Sequence, residues 1–180
     1  ESGSEEVLQM IKKKISLKNL LVSLRSASKH GISVKINIIC GFPKEKIEHL
    51  FETLWFLVKV AMTGCDDMSI NQFSPYPGSP LFNDLVKNSK LELNDEYFKT
   101  LSYYSSMTNA HSYCENFTDR QLIIYKYIGT LIFYFTSFIS RPWRVFTILQ
   151  NVYLDNETTR LEKTLVSYKK RVTNVKEYQH

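Results

Sequence analysis

The stretch Ile32-Ser33-Val34-Lys35-Ile36-Asn37-Ile38-Ile39-Cys40-Gly41-Phe42-Pro43 decides how this chain is read. It alternates at first and turns continuously apolar towards Cys40, the pattern of a strand buried between helical layers. Gly41-Phe42-Pro43 breaks it. Just downstream, Ile47, Leu50, Phe51, Leu54, Leu57 and Val58 share one face of a helix. After Gly64 a second strand is expected from about Asp67 to Phe73. It runs into Ser74-Pro75-Tyr76-Pro77-Gly78-Ser79-Pro80, where three prolines in seven residues rule out regular structure.

Working outward, Val7, Leu8 and Ile11 form the apolar face of a short helix. Ser2 and Glu5 stand at capping-box spacing before it. Leu17, Leu20, Leu21 and Leu24 mark a second helix, opened by Ser16. Residues 1–90 therefore read helix, helix, strand, helix, strand, helical turn. Such alternation predicts parallel strands joined by crossover helices, an α/β arrangement. Two strands cannot close a barrel or stable sheet, and Glu1 is not an initiator methionine, so partner strands are expected from an upstream portion. Residues 91–180 read as a helical extension. Asn94 opens a helix expected to reach Tyr113. Thr118-Asp119-Arg120-Gln121 is a capping box for another to about Ile139. Arg141-Pro142 interrupts, and helices follow over 143–154 and 157–176.

Net charge is +5, with 43% hydrophobic and 23% charged residues, ordinary for a globular domain. The basic residues are spread out, densest over 163–176, as on a solvated helix, and no nucleic-acid-binding signature accompanies them. Nucleic acid is not an expected partner. Cys40, Cys65 and Cys114 are odd in number and far apart. This argues against a disulfide framework, fits a reducing cytoplasm, and leaves the thiols as core residues. Leu122 to Ile139 is 18 residues long with one lysine, close to the roughly 20 a membrane span needs. A helix packed on the strands is expected, with peripheral membrane contact through 122–145 as the second reading.

In parallel α/β architectures the strand exits build the site. Here those are Glu1 to Ser4, Gly41 to Glu45, and Gln72 to Pro80. Glu1-Ser2-Gly3-Ser4-Glu5-Glu6-Val7-Leu8 resembles the fourth-strand exit of radical S-adenosylmethionine (radical SAM) enzymes. Ile38-Ile39-Cys40-Gly41-Phe42-Pro43-Lys44-Glu45 resembles their fifth, although Lys44 stands where the family usually has glycine. Phe73-Ser74-Pro75-Tyr76-Pro77-Gly78-Ser79-Pro80-Leu81-Phe82 is similar to their sixth. The order and intervals agree as well.

The resemblance implies the C-terminal part of a partial (β/α)6 TIM-like barrel, followed by the helical region. It further implies S-adenosylmethionine and a [4Fe–4S] cluster in the parent protein, which would cleave the cofactor reductively. The family's C-x-x-x-C-x-x-C loop is absent from this sequence, so no metal ligand is assigned within it, and no residue is given a catalytic role. For the cofactor, Glu1 with Ser2 or Ser4 can accept from ribose hydroxyls. Gly41 can admit backbone close to a flat ligand. Ile39, Phe42 and Pro43 offer apolar surface for adenine, and Phe73, Ser74, Pro75 and Tyr76 offer a rigid edge and ring faces. Phe135 to Val145, with Arg141-Pro142, resembles a segment of members carrying an upstream cobalamin-binding domain, such as anaerobic porphyrin cyclases and hopanoid-modifying enzymes. Cobalamin and a small or lipid-like substrate follow from that. The competing reading is a non-catalytic truncated or membrane-associated helical module.

Overall fold

The computed structural model describes residues 1–177. Helix α1 spans Glu5–Met10 and α2 Leu17–Lys29. Strand β1 is Lys35–Cys40, helix α3 Ile47–Met62, and strand β2 Asp67–Gln72. Helices α4 (Pro80–Lys87), α5 (Asp95–Leu101), α6 (Asp119–Ser140), α7 (Trp143–Tyr153) and α8 (Arg160–Glu177) follow.

β1 and β2 pair in parallel, from Lys35↔Asp67 to Cys40↔Gln72, with α3 as the crossover. Because strand side chains alternate, Ile36, Ile38, Met68 and Ile70 share one face. They enter a core with Leu57 and Val60 of α3 and Leu122 and Phe133 of α6. Ile38, Leu57, Ile70 and Phe133 are at most 1% exposed, and each such side chain contributes about 1.5–3 kcal/mol on burial. The opposite face is polar. Ser69 Oγ donates to Asn37 Oδ1 at 2.6 Å, and Asn71 Nδ2 donates to the Tyr104 hydroxyl at 3.3 Å. The Ile39 N–H donates to the Glu1 carbonyl at 2.7 Å, so the opening segment runs along the edge of β1 away from β2.

Helix α6 lies on α3 and β2. Gly129 permits the approach, since a Cβ there would stand 2.3 Å from Ile70 Cδ1. The local signals that open helices act as expected. Ser16, Asn94 and Thr118 accept from Asn19, Tyr97 and Gln121 amides, and Gln121 answers Thr118 in the capping box.

Three local expectations are corrected. Ser2 does not cap α1: its hydroxyl pairs with Thr53 Oγ1 at 3.1 Å and accepts the Ser4 amide, leaving Ser4 at the N-cap without a side-chain bond. The helix expected to reach Tyr113 stops at Leu101. Beyond it the backbone serves other partners: Tyr104 C=O accepts the Gln72 amide, the His111 amide donates to Gln72 Oε1, and Lys126 Nζ donates to the carbonyls of Ser106 and Asn109. Those bonds offset the helical ones forgone. Finally, α8 opens at Arg160 rather than near 157, because Glu162 gathers the Thr158 and Thr159 amides ahead of it.

Candidate functional site

The loop after β1 is shaped from within. Gly41 takes φ +84, a conformation that disfavours any Cβ. Glu45, 1% exposed, then turns back so that its Oε2 accepts the amides of Gly41 (2.5 Å) and Phe42 (3.2 Å). Burial pushes its carboxyl up to about 7, although both amides act to lower it. Held this way, Phe42 meets Phe73 from the end of β2, with ring centroids 5.1 Å apart and a 40° tilt. The Tyr113 ring stands edge-on to Phe73 at 6.4 Å.

Glu1, Ile39, Phe42, Phe73, Ser74 and Tyr76 line one cleft of about 670 Å³. They come from the opening segment, the end of β1 with its loop, and the segment after β2. Glu1 forms an ion pair with Lys13 at 2.8 Å on its wall. Ser74 is buried, and its hydroxyl has no hydrogen-bond partner. A buried hydroxyl left unmade costs about 1–3 kcal/mol, which a ligand in the cleft would offset.

The other expected residues sit elsewhere. Ser2 is turned to Thr53, and Ser4 is buried with an unpaired hydroxyl outside the cleft. The space beside Gly41 belongs to Leu122 of α6, whose Cδ1 would lie 2.9 Å from an added Cβ. Packing and φ together account for that glycine. Pro43 lines the adjoining hollow with Met10 and Leu81, and its carbonyl accepts the Glu115 amide. The Pro75 carbonyl accepts the Tyr97 hydroxyl at 2.7 Å.

Sequence reasoning missed Lys12, Lys13, Asp84 and Tyr104, which also line the cleft. It also passed over Glu45 as the group that sets the loop. A carboxylate four residues after a strand-end glycine was the available signal. Tyr104 had none, since it belongs to the segment read as helix.

Each cysteine is buried and donates to a carbonyl: Cys40 to Asn71 (3.5 Å), Cys65 to Val34 (3.3 Å), Cys114 to Glu45 (3.4 Å). Burial pushes all three thiols up. Among the described residues no three His, Cys, Asp or Glu side chains gather as a metal site.

No family model matches the chain. It is 30% identical over 111 residues to the threonylcarbamoyladenosine tRNA methylthiotransferase of Drosophila pseudoobscura pseudoobscura, covering 57% of this chain and 20% of that protein. The same-named protein of Drosophila melanogaster is 29% identical over the same length and shares. An uncharacterized methyltransferase of Pyrococcus horikoshii is 31% identical over 94 residues, 51% of this chain and 19% of its own. The chain thus spans about a fifth of the length of the curated relatives it matches. These distant homologues are consistent with the radical SAM superfamily and do not single out its cobalamin-associated members.

Proposed function

We propose that this chain forms the ribose- and adenine-binding wall of the S-adenosylmethionine pocket in a radical SAM enzyme. The observation that carries the reading is the convergence of six residues from the opening segment, the end of β1 with its loop, and the segment after β2 on one cleft. The Glu1 segment, β1 and β2 would be consecutive staves of a partial (β/α)6 barrel, with further strands added at the open edge. Ile39 and the Phe42–Phe73 pair would face adenine, Ser74 would meet a polar edge, and Glu1 would accept ribose hydroxyls. The cofactor, when bound, would supply radical chemistry on reduction at a [4Fe–4S] cluster.

The cysteines of this chain do not fit such a cluster. Their thiols are buried, separated and carbonyl-bound, whereas a cluster ligand must be a thiolate. The cluster would be held by another part of the polypeptide. Cobalamin rests on the Phe135 to Val145 resemblance alone. In that segment Arg141 donates to the Gly64 and Cys65 carbonyls and Arg144 to Cys65, which accounts for both arginines by packing. A small or lipid-like substrate rests on the same resemblance.

Calorimetric titration of the full polypeptide with S-adenosylhomocysteine tests the reading. Phe42→Ala and Phe73→Ala are each expected to weaken binding about tenfold. Val22→Ala, on the exposed side of α2, should leave it unchanged. Equal binding by all variants would rule out this cleft.

A further inference from the structure

The polar face of the sheet is met by one stripe of α8. Arg160, Lys163, Thr164, Ser167, Tyr168 and Arg171 recur at the three- and four-residue spacing that places side chains on one side of a helix. All of them line a single cavity of about 960 Å³, which Lys35 of β1 also lines. The Arg160 amide donates to Asp67 Oδ2 at 2.9 Å and its guanidinium to the Ser105 carbonyl at 3.2 Å. The start of α8 is thereby fastened to β2 and to the segment after α5. Asn37, Ser69 and Asn71 form the floor. A cavity of this size suits a small molecule.

Charge and hydrogen bonding select the same kind of occupant. Lys35, Arg160, Lys163 and Arg171 line the cavity, and among the described residues none of them forms an ion pair. The carboxylates on its wall are already committed. Asp67 accepts from the Met68 amide, the Tyr134 hydroxyl and the Arg160 amide. Glu157 pairs at 3.8 Å with Lys170, which lies off the cavity. On the floor, Asn37 Oδ1 accepts from Ser69 Oγ, which leaves Asn37 Nδ2 to donate. The Tyr104 hydroxyl accepts from Asn71 Nδ2, which leaves its own proton to donate. Cations above and donors below call for an anion with several acceptor oxygens. A diphosphate presents enough of both charge and oxygens for all these groups, whereas a lone carboxylate does not.

We propose that this cavity binds the diphosphate group of a small molecule, with Lys35, Arg160, Lys163 and Arg171 as counter-charges and Asn37 as a donor from the floor. Arg171 can present paired N–H groups to phosphate oxygens, and the lysines act as point charges. Tyr104 lines both this cavity and the cleft of Phe42 and Phe73, so the ligand lies beside the proposed cofactor. Resting on that cofactor reading, the ligand is the substrate.

The test is calorimetric titration of the full polypeptide with sodium pyrophosphate at fixed ionic strength. We expect binding that weakens as salt is raised, with inorganic phosphate about tenfold weaker. Lys163→Ala/Arg171→Ala, at two exposed positions of α8, should weaken pyrophosphate about tenfold. Asn37→Asp sets a carboxylate on the floor and should abolish binding, with circular dichroism showing both variants folded. Lys18→Ala/Arg25→Ala removes the same charge from exposed positions of α2 and should change nothing. Absence of pyrophosphate binding, or equal loss in the two double variants, overturns the proposal. So does a single-stranded oligonucleotide that binds where pyrophosphate does not, since the cations would then serve a polyanion surface. Affinity for S-adenosylhomocysteine should be unchanged in Lys163→Ala/Arg171→Ala, so failure of this site and failure of the cofactor cleft are told apart.

Discussion

One carboxylate oxygen of Glu45 accepts the Gly41 amide at 2.5 Å, inside a site where the glutamate is 1% exposed. The same oxygen takes the Phe42 amide, so a single group sets the turn that presents Phe42 to the cleft.

This arrangement makes stability depend on pH. Burial raises the folded pKa from 4.5 to about 7, so the folded state holds this proton more tightly than the unfolded one. The stability linked to it is full below the unfolded pKa and is lost as pH rises through about 7. At about 1.4 kcal/mol per unit, the loss is about 3 kcal/mol. Glu45→Gln keeps an acceptor and cannot ionise. Denaturant titrations should show the wild type falling by about 3 kcal/mol relative to this variant between about pH 5 and pH 8. A constant difference would contradict the buried acid.

Gly41 carries two constraints that can be separated. Gly41→Ala meets both the +84 φ and the Leu122 side chain, and should destabilise by about 2–4 kcal/mol. In a Leu122→Ala background the clash is gone and only the backbone term, about 1–2 kcal/mol, should remain. Equal costs in both backgrounds would show that Leu122 does not fill that space.

At Gly129 the obstacle is the far end of one flexible side chain. Gly129→Ala should cost about 1–3 kcal/mol through Ile70 Cδ1. Ile70→Val removes that atom, and the double variant should recover part of the loss. A thermal-melt cycle of the four proteins gives the coupling, and strict additivity would argue against this α6–β2 contact.

Lys126 fastens the segment after α5 through the carbonyls of Ser106 and Asn109. Lys126→Met keeps the stem and removes the donor. The segment should then exchange amide hydrogens faster between residues 106 and 111, with a stability loss of about 1–3 kcal/mol. Unchanged protection there would mean that the ammonium does not hold it.

Signals confined to a few residues were legible in advance. Ser16, Asn94 and the Thr118–Gln121 pair act within one helical turn, and the alternation over Ile32 to Cys40 contains β1 entire. The loops after β1 and β2 were visible for the same reason: glycine and proline interrupt regular structure wherever they stand. Ser2 misled because capping spacing says nothing of Thr53, fifty-one residues away, which claims its hydroxyl.

The sequence by itself determined the order of helices and strands, the breaks between them and the apolar faces, since these depend on backbone preference and periodicity. Only the tertiary structure decided which strand-end side chains share a cleft, why the segment after Leu101 leaves its helix, and that Leu122 rather than open space lies beside Gly41. These are contacts between distant parts of the chain. Their energy comes from filling space and pairing buried polar groups, and no local pattern encodes which partner arrives.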